Sequence, residues 1–372
     1  MMHPVRVGIL GTGRIAVDSH VQSIREAGGV VTALADIAPG RAERFARSLD
    51  VPLAFGNGAD MIRSGAIDAV DICTPPASHY GDVMAALAAG LPVYLEKPPA
   101  MDQAEMRAMA DAARSAGVPL VTGTNQVFHP AVQFIKGMID RGEMGEVYVV
   151  ECHKTIRRFY RKGWHRSRAV AGGGVVMDSS PHRMDLALYL LSNPAVQAVS
   201  ARTFSYFAGL EEPVGGRQSY LVMDVAEQNQ AGGLAGSAVP VDVEDSVVAM
   251  FRLKTGGVLS LREMVSVNMP DETVIRVYGT RSGAVMRFAG RNAGSVSVYS
   301  QMPDGTLVDL EPVMPDPSRS ERPHTGAFRW FFQCILEGAD FLPGLDRAVN
   351  LMGMVDAIYA SAAIDGAEVL IP

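Results

Sequence analysis

The tightest constraint on the fold of this chain lies near its start. A short apolar run, Val5-Arg6-Val7-Gly8-Ile9-Leu10, stops at Gly11-Thr12-Gly13, and a helix-compatible stretch from Ile15 to Glu26 follows. Gly11-Thr12-Gly13-Arg14-Ile15-Ala16 satisfies G-x-G-x-x-G/A in the required context, after a strand and opening a helix. Gly11 permits the tight turn, Gly13 lets backbone approach a pyrophosphate, and Ala16 is small enough for helix and sheet to close up. The free N–H groups and positive partial charge of the helix start favour phosphate. Thr12, Arg14 and Ile15 join the glycines as expected dinucleotide contacts. A second apolar run, Val30 to Ala35, ends in Asp36, near the ~20-residue spacing of the acid that accepts from a ribose 2′-hydroxyl. Asp36 favours NAD over NADP, whereas Arg41, shortly after it, would admit NADP.

Strand and helix patterns continue to alternate. A helix over Pro39–Leu49 precedes a strand over Ala69–Cys73, which Thr74-Pro75-Pro76 stops. A helix over Ser78–Ala89, a strand over Val93–Leu95, a helix over Asp102–Ala116 and a strand over Leu120–Thr122 follow. Such alternation implies parallel strands with right-handed crossovers, and the unbroken apolar strands suit a sheet covered on both faces. The pattern ends near Gly123. With 372 residues, 48% of them hydrophobic, two buried cores are expected: residues 1–124 as a Rossmann domain and 125–372 as a second, α+β domain.

Composition excludes several classes. A net charge of −7 gives no basic footprint for nucleic acid. No stretch reaches the ~20 apolar residues of a membrane span, and the N-terminus lacks a signal-peptide core. Cys73, Cys152 and Cys334 are scattered and odd in number, which argues against disulfides or zinc and fits a reducing cytoplasm. His79, His129, His153 and His165 show no metal-ligand spacing, so no metal is expected.

Further segments resemble the glucose–fructose oxidoreductase/inositol dehydrogenase (Gfo/Idh/MocA) family over nearly the whole length. They are Val7 to Gly13; Asp71-Ile72-Cys73-Thr74-Pro75-Pro76 with His79; Ala89 to Pro98 with Glu96-Lys97-Pro98; Gly172-Gly173-Gly174 with Asp178 and His182; and Glu244-Asp245-Ser246. The resemblance implies cofactor contacts from Thr74, Pro75, Pro76, His79, Glu96, Lys97 and Asn125. It places Lys97, often before a cis-proline, in the active site, beside His182 as general acid/base and Asp178 as its orienting or substrate-binding carboxylate. At Val127 the chain departs from an arginine common in the family, so any substrate contact by that arginine is lost.

After Gly123 a helix over Ala131–Asp140 leads into β-rich stretches: Val147–Ile156, Gln197–Phe204, Ser246–Leu253, Gly257–Val267 and Thr273–Tyr278. Lys254 to Gly257 reads as a hairpin turn. The family has here a large, mostly antiparallel sheet with one open face used for subunit contacts, which implies a homo-oligomer. Pro181 fits the first turn of a helix capped by Ser180, with His182 beside it. Trp164 and Arg166 suit a sugar's ring and oxygens, and His324, before an expected final helix Phe328–Glu337, is a further substrate candidate. Residues 209–243 read as an irregular insertion, either a flap or a disordered connection.

These features predict hydride transfer between NAD(P) and a secondary alcohol or ketone of a sugar, cyclitol or related polyol. Lys97 and His182 would handle the proton. Two alternatives share the scaffold: an NAD-dependent glycosidase using transient oxidation, and a non-catalytic dinucleotide-sensing regulator.

Overall fold

The structure is a computed structural model and describes residues 3–210, 241–289, 293–302, 304–316 and 320–371. Strands β1 (Arg6–Leu10), β2 (Val30–Ala35), β3 (Leu53–Phe55), β4 (Ala69–Ile72), β5 (Val93–Leu95) and β6 (Leu120–Thr122) form one sheet in the order β3-β2-β1-β4-β5-β6. Every neighbouring pair is parallel. All residues of β4 and β5 are buried, as a sheet covered on both faces requires. The order reverses between β1 and β4, and ligands of such sheets sit outside the carboxyl ends at that switch point. Gly11, Thr74 and Lys97 all follow strands there.

Strand β3 and the helix Gly58–Arg63 add to the elements expected from the sequence. A three-residue strand is too short to show a period. The first helix also opens differently: a π turn, Ala16–His20, precedes the α-helical Val21–Glu26, and its last residue, His20, is fully buried.

The second sheet contains β7 (Val147–Ile156), β8 (Val196–Phe204), β9 (Ser246–Leu253), β10 (Val258–Val265), β11 (Glu272–Gly279), β12 (Ser282–Ala289), β13 (Ala293–Gln301), β14 (Leu307–Leu310) and β15 (Val369–Leu370). Their order is β14-β13-β12-β11-β7-β10-β9-β8-β15, antiparallel except for β7 beside β10. Burial alternates along β9, with Val247, Ala249 and Phe251 inside and Val248 and Met250 exposed. One face is therefore packed and the other meets solvent. The helices Ser180–Leu190 and Leu342–Ala363 cover the packed face. Among the described residues no helix is long and apolar enough to cross a membrane.

Three expectations need correction. The helix expected over Phe328–Glu337 spans Pro323–Leu336, because Pro323 starts its first turn, and it is not final, since Leu342–Ala363 follows. Ser179, not Ser180, occupies the N-cap of the helix carrying His182. The strands β12 to β14 were not anticipated; serine and glycine dilute the β signal there. Most of the proposed insertion, 211–240, lies outside the described residues.

We propose a domain boundary at 124/125, although the chain later crosses back. Phe328 and Phe331 are buried in the first domain's core, and Phe328 stacks on Tyr94 with ring centroids 4.2 Å apart. This return packing ties the second domain to the strand that presents Lys97.

Candidate active site

A cleft of about 390 Å³ follows the carboxyl ends of the first sheet. That volume falls within the ~300–1,000 Å³ range of small-molecule sites. The first domain lines it with Gly11, Gly13, Arg14, Ile15, Asp36, Thr74, Pro75, Pro76, Glu96 and Lys97, and the second with Trp164, His165 and Asp178.

The two fingerprint glycines are needed for different reasons. Gly11 has φ +91°, and a Cβ there would stand 2.8 Å from the Cys73 backbone. Gly13 is not required by internal packing, since the nearest protein atom to its would-be Cβ is the Cys73 oxygen at 3.9 Å. Its bare backbone faces the cleft, where a side chain would occupy the room a pyrophosphate needs. Arg14 Nε donates to Asp18 at 2.8 Å, leaving Nη1 buried without a hydrogen-bond partner among the described residues. An anion-seeking donor beside a helix start fits a dinucleotide.

Asp36 is buried and accepts from Thr12 N–H (2.9 Å) and Thr12 Oγ1 (2.6 Å) through Oδ2, and from Ala38 N–H (2.9 Å) through Oδ1. Thr12 therefore braces Asp36 from behind and does not itself line the cleft. Arg41 Nε lies 3.4 Å from Asp36 Oδ2 and donates to Thr12 Oγ1 at 3.1 Å. Its charge is set against Asp36, which weakens it as a receiver for a 2′-phosphate.

Lys97 follows β5 and precedes a cis peptide to Pro98. Its Nζ donates to Asp178 Oδ1 at 2.9 Å and to the Asp178 carbonyl at 2.6 Å. Arg161 Nη2 donates to the other carboxylate oxygen, Oδ2, at 3.2 Å. Burial alone would raise the Asp178 carboxyl, but Lys97, Arg161 and His165 override it and hold it far below the usual carboxylate range. His165 stacks on Trp164 at 3.6 Å, and burial pulls its pKa down to about 4, keeping it neutral.

The glycine run explains how Asp178 reaches Lys97. A Cβ on Gly174 would sit 1.7 Å from the Glu244 carbonyl oxygen, and one on Gly173 would sit 1.8 Å from the Tyr359 hydroxyl. Glu244 Oε1 accepts from Gly174 N–H (2.8 Å) and Val176 N–H (2.9 Å). The loop is thus clamped to Glu244 immediately before the short helix Val175–Asp178. The Gly-Gly-Gly and Glu-Asp-Ser motifs are two halves of one contact.

His182 lies in the first turn of its helix, and its buried Nδ1 has no hydrogen-bond partner among the described residues. Burial, reinforced by Lys97, Arg183, Lys154 and His324, pushes its pKa well below that of a free histidine. It does not line the cleft directly. Asn125, Arg166, His79 and His324 do not line it either. His79 is buried, with Nδ1 at 2.9 Å from the Pro98 oxygen and Nε2 at 2.8 Å from the Thr74 oxygen, bracing two cleft loops. Asn125 is buried in the 3-10 turn Asn125–Phe128. Arg166 holds a buried Nε, and its carbonyl accepts from Asp242 N–H at 3.3 Å. His324 converges with His20 and Glu96, their side-chain donor atoms all within 4.8 Å.

Two further groups of residues carry no sequence motif. Behind the cleft, His20 Nδ1 lies 2.8 Å from Asp71 Oδ2 and its Nε2 lies 3.2 Å from Glu96 Oε1. Burial would lower the His20 pKa, but Asp71 and Cys73 raise it well above the free value. Glu96 also accepts from Lys97 N–H at 3.1 Å. On the substrate side, Lys154 Nζ donates to Ser179 Oγ at 2.7 Å and lies 3.9 Å from Glu263, which Arg183 Nε contacts at 3.1 Å. Strand parity is the signal that could have found these. Lys154 shares a face with buried Val150 and Cys152, and Glu263 with buried Leu259 and Leu261.

Fold and site together define a two-domain oxidoreductase with a dinucleotide cleft between a Rossmann sheet and a mostly antiparallel sheet. The chain belongs to the Gfo/Idh/MocA oxidoreductase family: residues 5–124 match its NAD-binding Rossmann fold and residues 136–369 its C-terminal alpha/beta domain. It is 25% identical over 364 residues to D-glucoside 3-dehydrogenase of Escherichia coli (strain K12), covering 96% of this chain and 95% of that protein. It is also 25% identical over 363 residues to inositol 2-dehydrogenase of Rhizobium meliloti (strain 1021), covering 96% and 97%. Levoglucosan dehydrogenase in complex with NADH and levoglucosan superposes over 100% of both chains with a TM-score of 0.81 at 23% identity, a likeness of fold.

Proposed function

We propose that this protein oxidises a secondary alcohol of a sugar, cyclitol or related polyol, reversibly, with Lys97, Asp178 and His182 as the reacting side chains. The observation that carries this reading is the Lys97–Asp178 pair at 2.9 Å, joining the two domains within the dinucleotide cleft. The names of the relatives, dehydrogenases of a glucoside and of inositol, support the substrate class.

NAD bound in the cleft supplies the hydride acceptor, and the Asp36–Arg41 pairing favours it over NADP. The remaining work falls to the chain's own residues. Trp164 offers an indole face to a sugar ring. The Lys97 ammonium, fixed by Asp178, donates to the carbinol oxygen and steadies it as charge develops. Oxidation breaks one C–H and one O–H bond and forms C=O, so the hydroxyl proton needs an acceptor. His182 is neutral at pH 7, and its imidazole takes that proton. Reduction runs the same steps backwards.

Exposed Val248, Met250 and Tyr299 on the open face of the second sheet support a homo-oligomer built through that face.

The test is an absorbance screen for NADH over sugars, inositols and sugar acids, with NAD and NADP in parallel. Turnover with at least one polyol, lost in Lys97→Ala and His182→Ala, is expected. Release from a chromogenic glycoside without net NADH, or NAD binding with no turnover across the panel, would overturn the reading.

A further inference from the structure

The ion pairs at and behind Lys97 and Asp178 hold more positive than negative charge. Asp178 faces two cations, Lys97 at 2.9 Å and Arg161 at 3.2 Å. Glu263 also faces two, Arg183 at 3.1 Å and Lys154 at 3.9 Å. Four cations thus share two carboxylates. Behind Lys97 the balance is reversed, since Glu96 and Asp71 share one imidazole, His20. Adding that cluster still leaves one positive charge without a carboxylate among these groups. Arg168 and Glu244, the next pair outward, balance each other.

The excess is borne by groups with little room to shed it into water. Arg161 and Arg183 are buried, and Glu263 is fully enclosed. The side chains of Lys97 and Lys154 keep 20% and 18% of their surface exposed; Lys97 lines the cleft, and Lys154 lies next behind it, its Nζ 2.7 Å from Oγ of Ser179, the neighbour of cleft-lining Asp178. Lys97 is committed to Asp178 and its carbonyl. Lys154 donates to a neutral hydroxyl, Ser179 Oγ, and keeps donors to spare. Burial beside Arg183 brings its pKa down to about 8, so it is charged at neutral pH but poorly compensated. Unpaired buried charge is costly, and a site that retains it is complementary to a ligand that cancels it.

We propose that the substrate is a sugar acid, a polyol bearing one carboxylate, which Lys154 receives while Lys97 holds the reacting hydroxyl. This rests on the dehydrogenase reading above. A single excess charge matches a carboxylate better than a dianionic phosphate. Lys154 lies on β7 and Lys97 after β5, so the two domains would grip opposite parts of one small molecule.

The experiment uses the full-length protein and NADH formation. Uronates and aldonates are each compared with their uncharged parent sugar or alditol, and with sugar phosphates. kcat/KM for carboxylates should exceed that for uncharged partners by at least about tenfold, the worth of one modest charge-assisted contact. Lys154→Met should erase most of that ratio through KM, and Lys154→Arg should restore it. Added salt should raise the wild-type KM for the acid more than for the uncharged partner, a readout that needs no variant. Equal or better turnover of uncharged sugars, or a preference for phosphates, would overturn the carboxylate assignment while leaving the dehydrogenase reading intact. No NADH from any compound would bring down both.

Discussion

Glu96 and Lys97 are neighbours in the chain, yet each belongs to a different kind of charge cluster. Behind the cleft, Glu96 and Asp71 share the buried imidazole of His20, which packs against Phe328; His20 and Asp71 are fully enclosed, and Glu96 alone of the three reaches the cleft wall. In front of it, Lys97, Arg161, Lys154 and Arg183 share Asp178 and Glu263, and Lys97 and Asp178 line the cleft. The rear cluster is the more closed and is anion-rich; the front cluster is cation-rich and places the Lys97–Asp178 pair at the cleft. A closed buried cluster can act only on stability and on the position of Glu96, whereas an open one acts on what enters. Lys97 has its backbone N–H on one cluster and its ammonium in the other.

The difference should separate activity from stability. The largest expected effect is on the open side: Lys97→Met should lower kcat by about 10³-fold, within the range for loss of a proton-handling or charge-stabilising group. Midpoint and slope of its urea unfolding should stay near wild type. Loss of folding in this variant would mean that the front cluster is structural as well.

Next in size is the closed side. His20→Leu would leave Asp71 and Glu96 buried without their cation, at a cost of about 3–5 kcal/mol in unfolding free energy. Urea denaturation followed by circular dichroism measures this. A cost below about 1 kcal/mol would show that the imidazole is dispensable and that the two clusters do not differ as described.

How visible each cluster was in the sequence follows the same division. Gly11, Gly13, Asp36, Lys97 and Asp178, which meet at the cleft, each sit in a local motif, a glycine turn, a strand end or a helix start; His182 also sits at a helix start but does not line the cleft. The parallel sheet was legible for the same reason, its strands being unbroken apolar runs ending in turns. The glycine run was legible as a place of close approach, but its partner was not, because the chain between Gly174 and Glu244 gives no distance in space. His20, Lys154, Arg161 and Glu263 belong to no motif. Their partners lie far along the chain, and only charged residues at core-facing strand positions hinted at two of them. The final helix was missed because its alanine- and methionine-rich faces are buried on several sides and show a weak amphipathic stripe.

A third pair, Asp36 with Arg41, resembles the closed cluster in being buried and mutually compensated. If compensation is what keeps Arg41 from a 2′-phosphate, Asp36→Ala should undo it. The ratio of kcat/KM for NADP to that for NAD should rise at least about tenfold, or 1.4 kcal/mol. Steady-state kinetics with each cofactor at saturating polyol decides this. An unchanged ratio would mean that Arg41 is held by Thr12 regardless of Asp36.

The smallest effect is a shift in pH dependence, and it tests whether the front cluster acts as one field. His182 must be neutral to accept a proton, so the rate of alcohol oxidation falls as pH drops through its pKa. Burial sets that pKa low, and Lys97, Arg183, Lys154 and His324 lower it further. Each makes a second positive charge on the imidazole harder to form. Lys154→Met removes one of them without touching the imidazole. The His182 pKa must then rise, and the acid limb of kcat must move to higher pH, by less than about one unit for a single charge in a partly solvated site. The measurement is kcat against pH between 4 and 8 for wild type and variant on the same uncharged polyol, so that substrate charge does not enter. An acid limb that stays fixed or moves to lower pH would show that Lys154 and His182 do not share a field, and the front cluster would divide into separate Lys97–Asp178 and Arg183–Glu263 pairs.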